Sequence, residues 1–186
     1  MKELSLNILD IAMNSVKAGA GTVEITLRET PETLTISIRD DGCGMTPDFL
    51  AAVTDPFTTT RTTRKVGLGI PLFKLASEQT GGSFSITSRH ESLYPADHGT
   101  ETAAVFNKNH IDFTPLGDVI STLTTLIQGA PEIRWRYVHT LPGGEVSLDT
   151  EELRAVLGDV PLSEPDVIAW IAGYLEEQYA EAGGGS

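Results

Sequence analysis

The sequence predicts an α+β fold, a two-layer sandwich of about four strands with helices packed on one face. Three observations carry that prediction. Val23, Ile25 and Leu27, then Leu34, Ile36 and Ile38, alternate with polar residues in two adjacent runs, the period of half-buried strands. Residues 3–18 and 70–80 instead space their apolar side chains by three and four, the period of helices that bury one face. Two further strand-like runs, Ser83–Ser88 and Glu101–Asn107, complete the layer.

The bulk composition narrows the function before any motif is read. A chain of 186 residues can bury a substantial core. Its formal charge of −13 argues against nonspecific binding to nucleic acid or to an anionic membrane. The single cysteine, Cys43, excludes an internal disulfide and fits a reducing compartment. The N-terminus lacks signal-peptide organisation, and no apolar run approaches the ~20 residues of a membrane span. A cytoplasmic protein is the expectation.

The first helix, residues 3–18, buries Leu4, Ile8, Ile11, Ala12 and Ser15 and stops at Gly19. Asp10, Asn14 and Lys17 share one side of it. A carboxylate, an amide oxygen and an ammonium in that order suit a water, a Mg²⁺ ion and a phosphate. Taken alone, the trio reads more readily as a solvated polar stripe with an Asn14–Lys17 contact. The two strands that follow are joined by a turn over 29–32 with Pro31.

The second of those strands ends in Asp40-Asp41-Gly42-Cys43-Gly44-Met45. This D-x-G-x-G pattern sets a carboxylate at the strand mouth and strips side chains from the turn. Gly42 and Gly44 would let a flat ligand press on bare backbone, with Asp40 accepting from an exocyclic amine. The structural alternative is a strand-to-helix turn with Asp40 as N-cap. Thr46-Pro47-Asp48 reads as the start of a short helix to about Thr54.

Residues 55–66 show no period but are rich in hydroxyls and carry Arg61, Arg64 and Lys65, a basic loop in an acidic chain. The pattern fits a lid over an anion, or a plain solvated loop. Gly67-Leu68-Gly69 then opens a helix from Ile70 to about Thr80, leaving N–H groups free at its positive end. A loop with Pro95 and Gly99-Thr100 joins the last two strands of the layer.

Residues 108–181 read as an α-β-β-α-α appendage, with Trp135 and Trp170 expected in its core. Its helices are expected from Thr114-Pro115 to Gly129, after Leu148-Asp149-Thr150, and over Pro165–Tyr179; a hairpin turns at Pro142-Gly143-Gly144. Residues 182–186 are expected to be a flexible tail. His90, His98, His110 and His139 fall after the motifs and are expected to be surface or capping histidines.

In this order and spacing the motifs resemble the GHKL (Bergerat) ATP-binding fold shared by DNA gyrase, heat-shock chaperones, histidine kinases and mismatch-repair ATPases. Asp10-Ile-Ala-Met-Asn14-Ser-Val-Lys17-Ala-Gly-Ala matches the N box and Asp40-Asp-Gly42-Cys-Gly44-Met45 the first glycine box. Asp55-Pro56-Phe57 matches the F box, Gly67-Leu68-Gly69 the second glycine box, and Gly99-Thr100 the last. The resemblance covers residues 1–107, leaving 108–181 as a partner-binding subdomain.

The resemblance implies that Asp40 binds the adenine amino group and that Gly42, Gly44 and Met45 shape the base pocket. It implies that Asn14 holds a single Mg²⁺ and that Lys17, Thr100, Arg61, Arg64 and Lys65 face phosphates. The N–H groups of Gly67, Leu68 and Gly69 would cradle the phosphate tail. Asp10 stands where the ATPase branches carry a glutamate, one methylene longer, and Lys17 looks more like the histidine-kinase branch. The site is thus a mixture, with Asp10 and Lys17 as its catalytic candidates. Mg-ATP binding with slow hydrolysis or phosphoryl transfer to a protein partner is implied; a non-hydrolysing regulatory module is the alternative. No helix pair with a phospho-acceptor precedes the motifs, which disfavours a self-contained sensor kinase. The arrangement also looks like the small ATP-binding proteins encoded beside iron-hydrogenase subunits in anaerobic bacteria, which would make the partner redox- or hydrogenase-associated.

Overall fold

The computed structural model describes residues 3–55 and 68–183. Helix α1 (Leu4–Lys17) leads into strands β1 (Thr22–Glu29) and β2 (Thr33–Asp40), then α2 (Pro47–Val53). Helix α3 (Gly69–Glu78), β3 (Ser83–Arg89) and β4 (Gly99–Asn107) follow. The chain closes with α4 (Val119–Gly129), β5 (Arg134–Leu141), β6 (Gly144–Asp149), α5 (Thr150–Leu157) and α6 (Pro165–Glu181).

The strands form one six-stranded sheet in the order β3-β4-β2-β1-β5-β6. Every neighbouring pair is antiparallel except β1 and β5, which run parallel from Thr22–Arg134 to Arg28–Thr140. The four-strand layer expected from the sequence is therefore six strands wide. The hairpin of the C-terminal region joins the same sheet, on the far side of the residue-107 boundary. The predicted α+β sandwich stands, with a larger sheet than periodicity alone could reveal, because a parallel pairing between distant segments leaves no local signature.

Alternation decides which sheet face is covered. Val23, Ile25, Leu27, Leu34, Ile36, Ile38, Ala104, Phe106, Trp135 and Tyr137 point to one face and are buried there against α1, α3, α4 and α6. Each large apolar side chain removed from water in this way contributes about 1.5–3 kcal/mol. The other face is open and polar. Across it runs a row of alternating charge, Glu101, Arg39, Glu24, Arg136 and Asp149, one residue per strand from β4 to β6. Arg136 reaches Glu24 at 3.1 Å, and Arg134 grips Asp149 at 2.8 Å.

Helix α1 has no side-chain cap. Instead the N–H groups of Leu4 and Ser5 donate to the carbonyls of Pro115 and Leu116, both at 2.8 Å. The C-terminal region thus anchors the start of the first helix as well as extending the sheet. At the sheet's outer edge the Gln178 side-chain amide bonds both the N–H and the carbonyl of Ser147, each at 2.9 Å, blocking strand β6.

Three expectations need correction. Trp135 is core at 2 % exposure, donating from Nε1 to the Ala130 carbonyl at 3.0 Å, but Trp170 is 55 % exposed. Helix α6 buries the neighbouring Ile171 and Leu175 instead, so periodicity identified an amphipathic helix without showing which side packs. His139 is no surface histidine: it is 1 % exposed, its Nδ1 at 2.7 Å from the Tyr179 hydroxyl and its Nε2 at 3.4 Å from Glu29 Oε2. Ala182, expected at the start of a loose tail, is 6 % exposed and packs against Gly143 and Gly144.

Candidate functional site

The Asp40–Met45 turn is clamped from two sides. Cys43 N–H donates to the Ala18 carbonyl at the end of α1, at 2.9 Å. On the other side, Glu91 N–H donates to the Cys43 carbonyl at 2.8 Å and Met45 N–H to Ser88 Oγ at 2.7 Å. His98 Nδ1–H donates to the Gly42 carbonyl at 2.5 Å, a capping role as expected. The glycines serve these contacts. A Cβ on Gly42 would lie 2.7 Å from the Ala18 Cβ, and Gly44, with φ of +74°, passes so close to β3 that a Cβ would lie 1.9 Å from the Arg89 carbonyl oxygen. Gly42 and Gly44, expected to bare the backbone for a ligand, are required first for the protein's own close approaches.

Inside the clamp lies a cavity of about 530 Å³ between α1 and the sheet. Asn14, Lys17, Asp40, Gly44, Met45 and Thr100, all candidates from the sequence, line it. Ile11, Ala18, Ile38, Phe49 and Ile70 make the wall mostly apolar, the usual character of a small-molecule site with a few fixed polar groups. Asp40 is the one carboxylate among the described residues lining it. Its Oδ2 accepts from Ser15 Oγ at 2.6 Å and its Oδ1 from Gly42 N–H at 2.9 Å. Each oxygen has a second lone pair, so acceptor capacity remains toward the cavity.

Thr100 was expected at phosphates. Strand pairing puts it directly opposite Asp40, with its hydroxyl 2.7 Å from Ser88 Oγ, so it sits at the carboxylate end of the cavity. Asp10 does not line the cavity. It is exposed and abuts the start of α3, where a Cβ on Gly69 would come within 3.1 Å of its own Cβ. Burial of its surroundings raises its carboxyl above the ordinary aspartate value, opposed by the Lys17 ammonium. Gly69 therefore meets Asp10 outside the cavity wall, and the next residue, Ile70, reaches the wall. Arg61, Arg64, Lys65, Gly67 and Phe57 lie outside the described residues.

Sequence reasoning missed Ser15 and Ser88 as site residues. Ser15 was read as a small buried-face residue of α1, and its hydroxyl orients Asp40 from there. Ser88, next to last in β3, ties Met45, Gly99 and Thr100 together. Only the strand register, not the local pattern, could have found it.

Asn14 lines the cavity, its Nδ2 buried without a hydrogen-bond partner among the described residues. Among the described residues no group of three or more His, Cys, Asp or Glu could hold a metal. Mg²⁺ keeps waters and takes its remaining ligands from phosphates and one or two side-chain oxygens. Asn14 would hold it through Oδ1. No helix among the described residues is long and apolar enough to cross a membrane.

The chain is similar to several known proteins. Sporulation kinase A of Bacillus subtilis (strain 168) is 26 % identical over 106 residues, 57 % of this chain and 16 % of that protein, so the chain spans a small part of that relative's length. Among solved structures, the Aquifex aeolicus MutL ATPase domain complexed with ADP is 14 % identical, with a TM-score of 0.48, covering 84 % of this chain and 69 % of that one. The N-terminal domain of a DNA repair protein is 16 % identical, with a TM-score of 0.49, over 80 % of this chain and 53 % of that one. The model of the histidine kinase-, DNA gyrase B- and HSP90-like ATPases matches residues 1–110, more than half of the 186, and the chain belongs to that family.

Proposed function

We propose that this chain binds Mg-ATP in the cavity between α1 and the sheet and uses it for slow hydrolysis or for phosphoryl transfer to a protein partner. The observation that carries the reading is the cavity itself, apolar-walled and bearing one carboxylate with free acceptor capacity. Asp40 accepts from the adenine amine, with Thr100 beside it, and Gly44, Met45, Phe49 and Ile38 flank the base. Gly42 holds Asp40 in place through its N–H. Asn14 holds Mg²⁺. Lys17 and the lid cations Arg61, Arg64 and Lys65 neutralise phosphate charge, and the N–H groups of Gly67, Leu68 and Gly69 at the start of α3 receive the phosphate tail. Asp10 is the candidate base, and the acceptor is a protein partner, of the redox type that the resemblance suggests.

The alternative is a non-hydrolysing module that senses nucleotide and signals to a partner; it needs no base from Asp10, which is exposed and abuts Gly69 outside the cavity wall. Calorimetric titration with ATP, with and without Mg²⁺, tests what the two share. Asp40→Ala should weaken binding about 100-fold or more, the loss of a charge-assisted bond in a sheltered site. Unchanged affinity would end the adenine assignment. Asn14→Ala should remove the Mg²⁺-dependent part alone. Steady-state phosphate release then separates the readings: turnover lost in Asp10→Ala supports the enzyme, and no turnover in the parent chain supports the sensor.

A further inference from the structure

Helix α6 turns two aromatic rings outward. Ile171 and Leu175 hold it on the sheet, while Trp170 and Tyr174, four residues apart, lie on the solvent side at 55 % and 38 % exposure. Their rings are stacked, centroids 5.1 Å apart and planes at 9°. An ordered pair of large rings left in water marks a surface that something else covers. The same helix face continues with exposed carboxylates at both ends, Asp166 four residues before Trp170 and Glu177 three after Tyr174. Among the described residues no ion pair or hydrogen bond uses either of them.

Helix α6 itself is one-sided in charge: it carries Asp166, Glu176, Glu177 and Glu181 and no lysine or arginine.

We infer that this face of α6 docks a basic segment of a partner protein. An arginine or lysine of that segment stacks on the Trp170–Tyr174 ring plane, and flanking cations meet Asp166 and Glu177. The negative face of an aromatic ring attracts a cation, and a planar guanidinium stacks on it as well. Carboxylates at both ends of the pair raise the local cation concentration and fix the register of the segment. An anionic lipid surface or an acidic protein is repelled by the same charges. A second copy set face to face would bring Asp166 and Glu177 against their own kind.

The two tryptophans make the test direct, because Trp135 is buried and only Trp170 can report a ligand at the surface. The probes are amidated twelve-residue peptides of Ala alternating with Arg, with Lys or with Glu, titrated into the full chain. The Arg peptide should change Trp170 emission and bind about tenfold more tightly than it does to Trp170→Ala/Tyr174→Ala. Its affinity should fall as salt rises, and Asp166→Lys/Glu177→Lys should abolish it. The Glu peptide should not bind. Both rings face solvent, so far-ultraviolet dichroism and melting of the alanine variants should match the parent, and Trp170→Phe should keep part of the affinity. Equal binding by the double alanine variant, or by the Glu peptide, overturns the proposal. So does a concentration-dependent dimer lost in Trp170→Ala, which assigns the face to a second copy, or an emission change with phosphatidylcholine vesicles alone, which assigns it to a membrane.

Discussion

The two ends of the β1–β2 ladder carry cavities of the same size, about 530 Å³ each, and treat their polar groups in opposite ways. At one end Asp40 and Asn14 face largely apolar walls, with acceptor capacity on the acid and an unpartnered N–H on the amide. At the other, Glu29, His139, Tyr179 and Tyr137 answer one another. His139 Nδ1 and the Tyr137 hydroxyl both reach the Tyr179 hydroxyl, at 2.7 and 2.5 Å, and Lys108 Nζ donates to the Thr30 carbonyl at 3.1 Å. Burial pushes the Tyr179 hydroxyl up to about 12 and Tyr137 well above its ordinary value, so both stay neutral donors. His139 lies against Glu29 and lowers the carboxyl's pKa, although its Nε2 is at ion-pair distance, not in a well-aligned hydrogen bond. The two cavities do not differ in volume; they differ in how far their side chains are tied to one another, although His139 Nε2 and Asn14 Nδ2 both lack a hydrogen-bond partner among the described residues.

Substitutions should therefore sort by end. The largest effect belongs to the clamp: Gly44→Ala meets both a positive φ and a backbone collision, and should cost about 3 kcal/mol or more in denaturant melts, or prevent folding. Asp40→Ala should follow, with about 100-fold loss of ATP affinity and little loss of stability. Tyr179→Phe should do the reverse. It should destabilise by about 1–3 kcal/mol, by stranding His139 and Tyr137, and leave ATP affinity unchanged in calorimetry. An ATP affinity that follows Tyr179 as strongly as Asp40 would dissolve the contrast.

Acid melts sharpen it further. The Glu29 pKa is lowered in the folded state, so the stability it contributes is complete above its ordinary value near 4.5. That stability is lost as pH falls through the lowered folded value. Glu29→Gln should flatten the stability profile below about pH 4.5. Some acid dependence should persist from Asp149, whose pKa Arg134 also lowers. The smallest effect concerns Asn7, 1 % exposed, with neither amide atom bonded among the described residues. Asn7→Leu should raise stability by about 1 kcal/mol, and a loss would reveal a partner for the amide.

Much of the near end was legible because its residues are ordered along short, periodic segments. Helix α1 with its Asn14 stripe, the alternation that buries Val23 to Ile38, and Thr46 capping α2 all follow from local rules. What escaped was set by contacts between distant segments. The β1–β5 pairing placed Trp135 and Tyr137 in the shared core and sealed His139 beside Glu29. Ser88 reached the site only through strand register, and Trp170 pointed outward because Ile171 and Leu175 claimed the sheet. Local periodicity states that a helix has two sides and is silent on which one finds a neighbour.

The parallel seam between β1 and β5 has a practical meaning. Although every recognisable box ends before residue 110, severing the polypeptide there would unzip a ladder that runs the full length of β1. The remnant would present a raw strand border, its amide and carbonyl groups bare and the roof of Val23 and Ile25 removed. A fragment trimmed to the family's shared portion would be an adhesive object and a poor stand-in for the intact protein.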